Sequence, residues 1–132
     1  MATAMTVNSD DVFALVAHGD AAALKVALEG GADAQAHGRW GISALAQAAA
    51  KGDLEAVELL LAHGAEVERA SEAGNSALMA AAARGRLEVV GRLLEAGADP
   101  GHKNKWGQGA EDWAQWPNNT AEIEARLRSR DG

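Results

Sequence analysis

The sequence contains no cysteine and no tyrosine, and it has only two prolines and one phenylalanine. Without cysteine, the chain cannot form a disulfide, bind a metal through thiolates or use a cysteine nucleophile. Four tryptophans and one phenylalanine are too few for a core of large aromatic side chains. Hydrophobic residues make up 48% of the chain, and most of them are alanine, leucine and valine. Such a composition favours closely packed helices with small residues at their contacts.

Long apolar runs and a basic N-terminal segment are also missing. The longest uncharged apolar stretches, such as residues 77–83, are far shorter than the ~20 residues that cross a membrane, and residues 1–11 do not have the pattern of a secretory signal. We therefore expect a soluble cytoplasmic protein with no membrane partner. The net charge of -7 argues against nucleic acid as the main partner. The many alanines favour a bacterial origin, and a designed sequence is the alternative.

Glycines and leucines recur along the chain at one constant interval. Three sets of glycines keep this interval: Gly19, Gly52 and Gly85; Gly31, Gly64 and Gly97; Gly41, Gly74 and Gly107. Leucine keeps it at Leu28, Leu61, Leu94 and Leu127. Because no residue is inserted or lost, the pattern predicts four structural repeats of equal length.

Each repeat is predicted to contain a turn and two short helices. In the second repeat, Ser43 is placed to cap the first helix and Gly52 to end it. The second helix starts near Asp53 and ends at Gly64. Apolar residues follow the helical i, i+3, i+4 spacing at Leu45, Ala48 and Ala49 in the first helix, and the second helix is expected to bury Leu54, Val57, Leu60 and Leu61.

At these residues the sequence resembles the ankyrin repeat family, over roughly residues 10–128. The family pattern is glycine, Thr-Pro-Leu-His, paired alanines, glycine, a Glu-Val-Val-like stretch, a leucine run and Gly-Ala-Asp. The matching segments include Gly41-Ile42-Ser43-Ala44-Leu45-Ala46, Leu87-Glu88-Val89-Val90 and Gly97-Ala98-Asp99. The family's proline and histidine are missing, which predicts ordinary rather than exceptional stability. The resemblance implies an all-α ankyrin-repeat solenoid of four stacked helix-turn-helix units with hairpin-like fingers.

The first and last units are interpreted as caps of this solenoid. We expect one domain at residues 10–128, with units at about 10–40, 41–73, 74–106 and 107–128. Residues 1–9 are predicted to be a disordered N-terminal tail, and residues 129–132 a C-terminal tail. The first helix is expected to be capped by Asp10 or Asp11, and the last helix to start at Asn119, with Glu122 completing a capping box.

No set of residues typical of an active site is present. The four histidines lie in different units without metal-ligand spacing, and the sequence has neither a phosphate-binding loop nor a nucleophile elbow. We therefore expect a non-enzymatic protein with no catalytic residue, cofactor or metal.

The resemblance implies a protein-binding groove made by the fingers and the exposed positions of the first helices. Placed on this sequence, the candidate partner-binding residues are Arg39, Trp40, Lys51, Arg84, Lys103, Lys105, Trp106 and Trp116. Trp40 and Trp106 occupy the same repeat position, and tryptophan is enriched among residues that dominate binding. The alternative is that each ring packs on an adjacent finger or first helix. For Trp113 and Trp116, the alternative is that the rings cover the last repeat.

Charge divides between the two sides of the predicted solenoid. Lysine and arginine, including Arg69, fall on fingers and groove, whereas acids fall mainly on the second helices at Glu29, Glu55, Glu58, Glu88, Glu95, Glu122 and Glu124. We therefore expect a monomeric module that binds an acidic segment of a partner protein. The alternative is an inhibitor or immunity-type protein that neutralises a toxin or enzyme through its acidic convex face. Nucleic-acid binding by the groove is a third hypothesis, and acids that merely complement helix dipoles would explain the same pattern without any function.

Overall fold

The computed structural model describes residues 9–113 and residue 125, and within them the chain forms stacked pairs of short helices. These helices are α1 (Ser9–His18), α2 (Ala21–Glu29), α3 (Ala44–Lys51), α4 (Leu54–Ala62), α5 (Ala77–Ala83), α6 (Leu87–Glu95) and α7 (Ala110–Trp113). No β-strand forms in the described residues, where His37 and Ser43 make only an isolated bridge. The prediction of an all-α fold is confirmed. No described helix is long and apolar enough to cross a membrane.

The first helices begin at the serines that the repeat pattern indicates. Ser43 Oγ accepts a hydrogen bond of 3.0 Å from Ala46 N, and Ser76 Oγ accepts one of 3.3 Å from Met79 N. These bonds satisfy backbone donors that the first helical turn leaves unpaired. Gly52 ends α3 with φ 75° and ψ 22°, a left-handed conformation that favours glycine.

The second helices begin in two different ways. Asp53 caps α4 through a bond of 3.1 Å from Ala56 N, whereas Arg86 at the same position before α6 makes no side-chain cap. Instead, Arg86 Nε donates to Ala50 O of the preceding unit at 3.0 Å. Arginine therefore replaces a local helix cap with a contact between units.

The core extends along the stack and is shared between neighbouring units. Its largest fully buried side chains include Leu24, Leu45, Leu60, Leu78 and Leu93, one in each helix from α2 to α6. Alanines fill the contact between the first helices α3 and α5, where Ala48, Ala49, Ala81 and Ala82 are completely buried. Small side chains let these helices lie close together, as the composition indicates.

The structure corrects the prediction in two places. In α4, Ala56 is buried together with Val57 and Leu60, whereas Leu54 and Leu61 are only half-buried because they lie at the edges of the buried face. At the start of the chain, α1 already includes Ser9, so Asp10 and Asp11 lie within the helix and not before it. Ser9, which the sequence assigned to the N-terminal tail, belongs to α1, and Ala125 of the predicted last helix is helical and exposed. Residues 1–8, the rest of the last helix, Trp116 and the C-terminal tail lie outside the described residues.

Polar contacts between units also recur with the repeat period. Gln35 Oε1 accepts from Glu66 N at 3.0 Å, and the carboxylate of Glu68, which holds the position of Gln35 in the next repeat, accepts in the same way from Asp99 N. Gln35 Nε2 also donates to Gly64 O at 2.8 Å. These bonds fix the loop after each second helix to the preceding unit.

Candidate protein-binding surface

Three short hairpins project between the helix pairs, and we call them the first, second and third finger (residues 37–42, 70–75 and 103–108). Each hairpin contains one backbone hydrogen bond within its turn and another, at the same repeat position in all three fingers, that closes its base. The donor–acceptor pairs of the closing bond are Gly38 N to Ile42 O at 2.8 Å, Ser71 N to Asn75 O at 3.0 Å and Asn104 N to Gln108 O at 2.9 Å. The three fingers therefore share one hairpin geometry at their base.

Backbone hydrogen bonds also join each finger to the next. Glu72 N donates to Trp40 O at 2.9 Å, and Lys105 N donates to Ala73 O at 3.0 Å. The approach is closest at Gly74, where an added Cβ would lie 3.0 Å from Asn104 Cα. The fingers consequently form one continuous, hydrogen-bonded row.

The two finger tryptophans lie in this row and are largely exposed. Trp40 is 62% exposed and Trp106 is 69% exposed, while Ala73 holds the equivalent position between them. Large aromatic rings with this much exposure are uncommon on a soluble domain and frequently mark binding sites. Both rings therefore form part of the exposed surface of the finger row.

The first helices contribute a second row of exposed positions beside the fingers. In each of the first three units this row ends in a basic residue: His18 in α1, Lys51 in α3 and Arg84 directly after α5, all three exposed. The positions before them are mostly alanines that are exposed or half-buried, namely Ala14, Ala17, Ala50, Ala80 and Ala83, together with Gln47. We call the fingers and this row together the finger-side surface.

Two of the basic residues expected on this surface also make polar contacts with other residues of the protein. Lys51 Nζ donates to Ala17 O at 2.9 Å, a carbonyl in the last turn of α1, where a positive charge is favourable. Arg69 Nη1 lies 3.4 Å from Gln35 O, and its Nη2 lies 3.2 Å from His37 Nδ1. These side chains therefore link neighbouring units as well as adding positive charge.

The remaining candidates lie at the far end of the surface or outside the described side chains. Lys103 and Lys105 are exposed on the third finger, and Glu72 is the exposed acid on the second finger. The backbone of Arg39 lies at the tip of the first finger, but its side chain is outside what the structure describes, as is all of Trp116.

Trp113 belongs to the finger-side surface although the sequence argument placed it only in the cap. It occupies the repeat position of Gln47 and Ala80, is half-buried and packs against the core. Its Nε1 donates to Gln108 Oε1 on the third finger at 3.3 Å. Comparing Trp113 with Ala80, its equivalent in the preceding repeat, would have placed Trp113 on the finger-side surface from the sequence alone.

Asn104 is a second residue that sequence reasoning missed. It is 7% exposed, and its Oδ1 accepts from Trp106 N at 2.9 Å and from Gln108 N at 3.0 Å. Its Nδ2 donates to Asn75 Oδ1 at 3.0 Å, on the second finger. Asn104 thus positions the backbone of Trp106. Asparagine side chains tend to accept a hydrogen bond from the backbone N–H two residues later, and this tendency is the sequence signal that could have identified Asn104.

α7, which is the first helix of the last unit, carries acidic residues at this end of the finger-side surface. Glu111 and Asp112 are exposed at the repeat positions where Leu45 and Ala46 are buried in α3. Asp112 Oδ2 accepts from Gly109 N at 2.8 Å, which compensates for glycine at the position of the capping serines. The positive charge of the surface is therefore concentrated on the units before α7.

The second helices present a different, acidic surface, which we call the outer face. Its exposed acids are Glu29, Glu55, Glu58, Glu88 and Glu95 on α2, α4 and α6. Arg92 Nε pairs with Glu58 Oε1 at 2.8 Å beside a shallow groove of about 270 Å³. Within residues 9–113, no three acids or histidines are arranged to hold a metal ion.

Comparison with known proteins identifies the family. A family model for ankyrin repeats matches residues 12–104 as three copies, the range from α1 to the third finger. None of the curated proteins compared with the chain matches it significantly. With its stacked helix pairs, hydrogen-bonded fingers and matched repeats, the chain belongs to the ankyrin repeat family, whose members generally serve as non-enzymatic modules that bind other proteins.

Proposed function

We propose that this protein is a monomeric cytoplasmic module that binds an acidic segment of a partner protein along its finger-side surface. The observation that supports this is the row of His18, Lys51 and Arg84, one basic residue in each of the first three units. This row runs beside fingers that carry the exposed rings of Trp40 and Trp106. Positive charge would steer an acidic segment to the surface, while the rings would supply most of the affinity.

The spacing of the units suggests what such a segment looks like. Helices in contact lie about 8–10 Å apart, so equivalent residues of neighbouring units are separated by roughly that distance. An α-helix rises about 10.5 Å over seven residues. A helix with acids at every seventh position would therefore present one carboxylate to each basic residue of the row, and the alanines beside the row leave room for its backbone.

A synthetic peptide provides a direct test. The probe is a 21-residue helical peptide with glutamate at every seventh position and leucines on the same face, titrated into the full chain by calorimetry. We expect Arg84→Glu to weaken binding at least tenfold, because a repulsive charge replaces an attractive one. The matched control is Lys25→Glu on α2, which makes the same change of charge at an exposed position of the outer face. Its affinity should stay within about twofold of the wild type.

Three results would contradict this proposal. One is equal weakening by Arg84→Glu and Lys25→Glu, which would mean that only the net charge matters. Another is a failure of the wild-type chain to bind the peptide. The third is tighter binding of the same peptide with lysine in place of each glutamate.

The acidic outer face supports one alternative, an inhibitor or immunity-type role toward a basic toxin or enzyme. Glu55 and Glu88 are exposed at the same position of α4 and α6, and Glu95 lines the groove beside them. In this case the lysine peptide would bind more tightly than the glutamate peptide. Glu55→Lys combined with Glu88→Lys would then abolish that binding, whereas Arg84→Glu would not weaken it.

A further inference from the structure

The first finger differs from the other two in its backbone. Trp40 has φ 61° and ψ 22°. Within the part of the chain that the structure describes, every other residue with a positive φ is a glycine. Ala73 and Trp106, at the same repeat position, do not share this conformation. A left-handed backbone is unfavourable for any residue with a Cβ, and it is rare for a bulky one.

The sequence explains why only this finger is affected. In the other fingers the side chain of the second residue spans the turn: Ser71 Oγ accepts from Asn75 N at 3.2 Å, and Asn104 Oδ1 accepts from Trp106 N and Gln108 N. The first finger has Gly38 there, so no side chain is available to do this. The ring of Phe13 fills the space, since a Cβ on Gly38 would lie 2.6 Å from Phe13 Cε2.

The strained conformation is held from both sides. Within the finger, Gly41 N donates to Gly38 O at 3.2 Å across the turn at Arg39–Gly41, a bond that the other two fingers also make at the equivalent position. From the second finger, Glu72 N donates to Trp40 O at 2.9 Å. Backbone strain persists only where surrounding contacts fix it in this way, and it is concentrated at functional sites.

The backbone conformation at position 40 does not require tryptophan. Glycine would adopt the same backbone without strain, and 62% of the Trp40 surface is exposed, so the ring adds little to the core. We infer that Trp40 is the principal anchor for the partner, and that the strained turn fixes the direction of its ring before binding. This inference rests on the proposed function, because it assigns the main contact of the acidic segment to the first finger and not to Trp106.

Four variants separate the strain from the binding: Trp40→Gly, Trp40→Ala, Trp106→Gly and Trp106→Ala. Thermal unfolding should show Trp40→Gly melting about 3–6 °C above Trp40→Ala, because only glycine relieves the strain. At position 106 the order should reverse, with the glycine variant melting below the alanine variant, because glycine gains more freedom on unfolding. Calorimetry with the glutamate peptide should show at least a tenfold loss for Trp40→Ala and a smaller loss for Trp106→Ala.

The two measurements give separate answers. If Trp40→Gly melts no higher than Trp40→Ala, the strain is absent and the inference is wrong. If glycine does stabilise position 40 but Trp106→Ala costs as much affinity as Trp40→Ala, Trp40 is not the principal anchor. If the wild-type chain does not bind the peptide, the proposed function fails and the anchor assignment with it, whereas the melting temperatures still decide whether the turn is strained.

Discussion

Gly74 is the position at which two fingers approach each other most closely, and Gly74→Ala should be strongly destabilising. Its φ is 89°, and an added Cβ would lie 3.0 Å from Asn104 Cα and 3.1 Å from Lys105 N. Alanine in the left-handed region costs about 1–2 kcal/mol. Moving the third finger away would also weaken the bond from Lys105 N to Ala73 O, worth about 1 kcal/mol. We expect the free energy of unfolding to fall by about 2–3 kcal/mol.

Gly107→Ala provides the matched control for this prediction. Gly107 occupies the same repeat position with φ 78°, but no heavy atom of the described residues lies within 4 Å of its Cβ position. Only the backbone cost applies there, so the loss should be about 1–2 kcal/mol. Urea denaturation monitored by circular dichroism measures both variants. Equal losses at the two glycines would show that the close finger contact does not contribute to stability.

Two further predictions concern side chains that link units. Asn104→Ala should lower the free energy of unfolding by about 2–3 kcal/mol, because it leaves the N–H groups of Trp106 and Gln108 without their acceptor; a loss below about 0.5 kcal/mol in urea denaturation would contradict this. Arg92→Ala should cost less than about 1 kcal/mol, because its ion pair with Glu58 is exposed. That small loss should disappear in about 1 M salt, and a loss above about 2 kcal/mol would assign Arg92 a larger structural role.

The helices were predictable because their signals are local and repeat. Ser43, Ser76 and Gly52 act within a single helical turn of their own position, and the constant repeat interval places the same signal in the next unit. The burial of the alanine pairs follows from the same periodicity. Leu54 was harder to predict, because helical spacing alone does not show where a buried face ends.

The details of the surface depend on contacts between residues that are distant in sequence. Charge alone does not reveal that Lys51 reaches a carbonyl of the preceding unit, or that Arg69 binds the first finger. The left-handed backbone of Trp40 lies in the finger whose Gly38 is in contact with the ring of the distant Phe13. No local pattern contains these pairings, so the structure was needed to separate residues that hold the stack together from residues available to a partner.

The central claim is that the partner lies on the finger-side surface and not on the outer face. The most direct test is an NMR titration of the isotope-labelled full chain with the glutamate peptide, with backbone amides and tryptophan indoles observed at each step. We predict that the largest shift changes fall on the fingers, on the indoles of Trp40 and Trp106, and around Lys51 and Arg84. Changes concentrated on α2, α4 and α6 would contradict this account and assign binding to the acidic outer face.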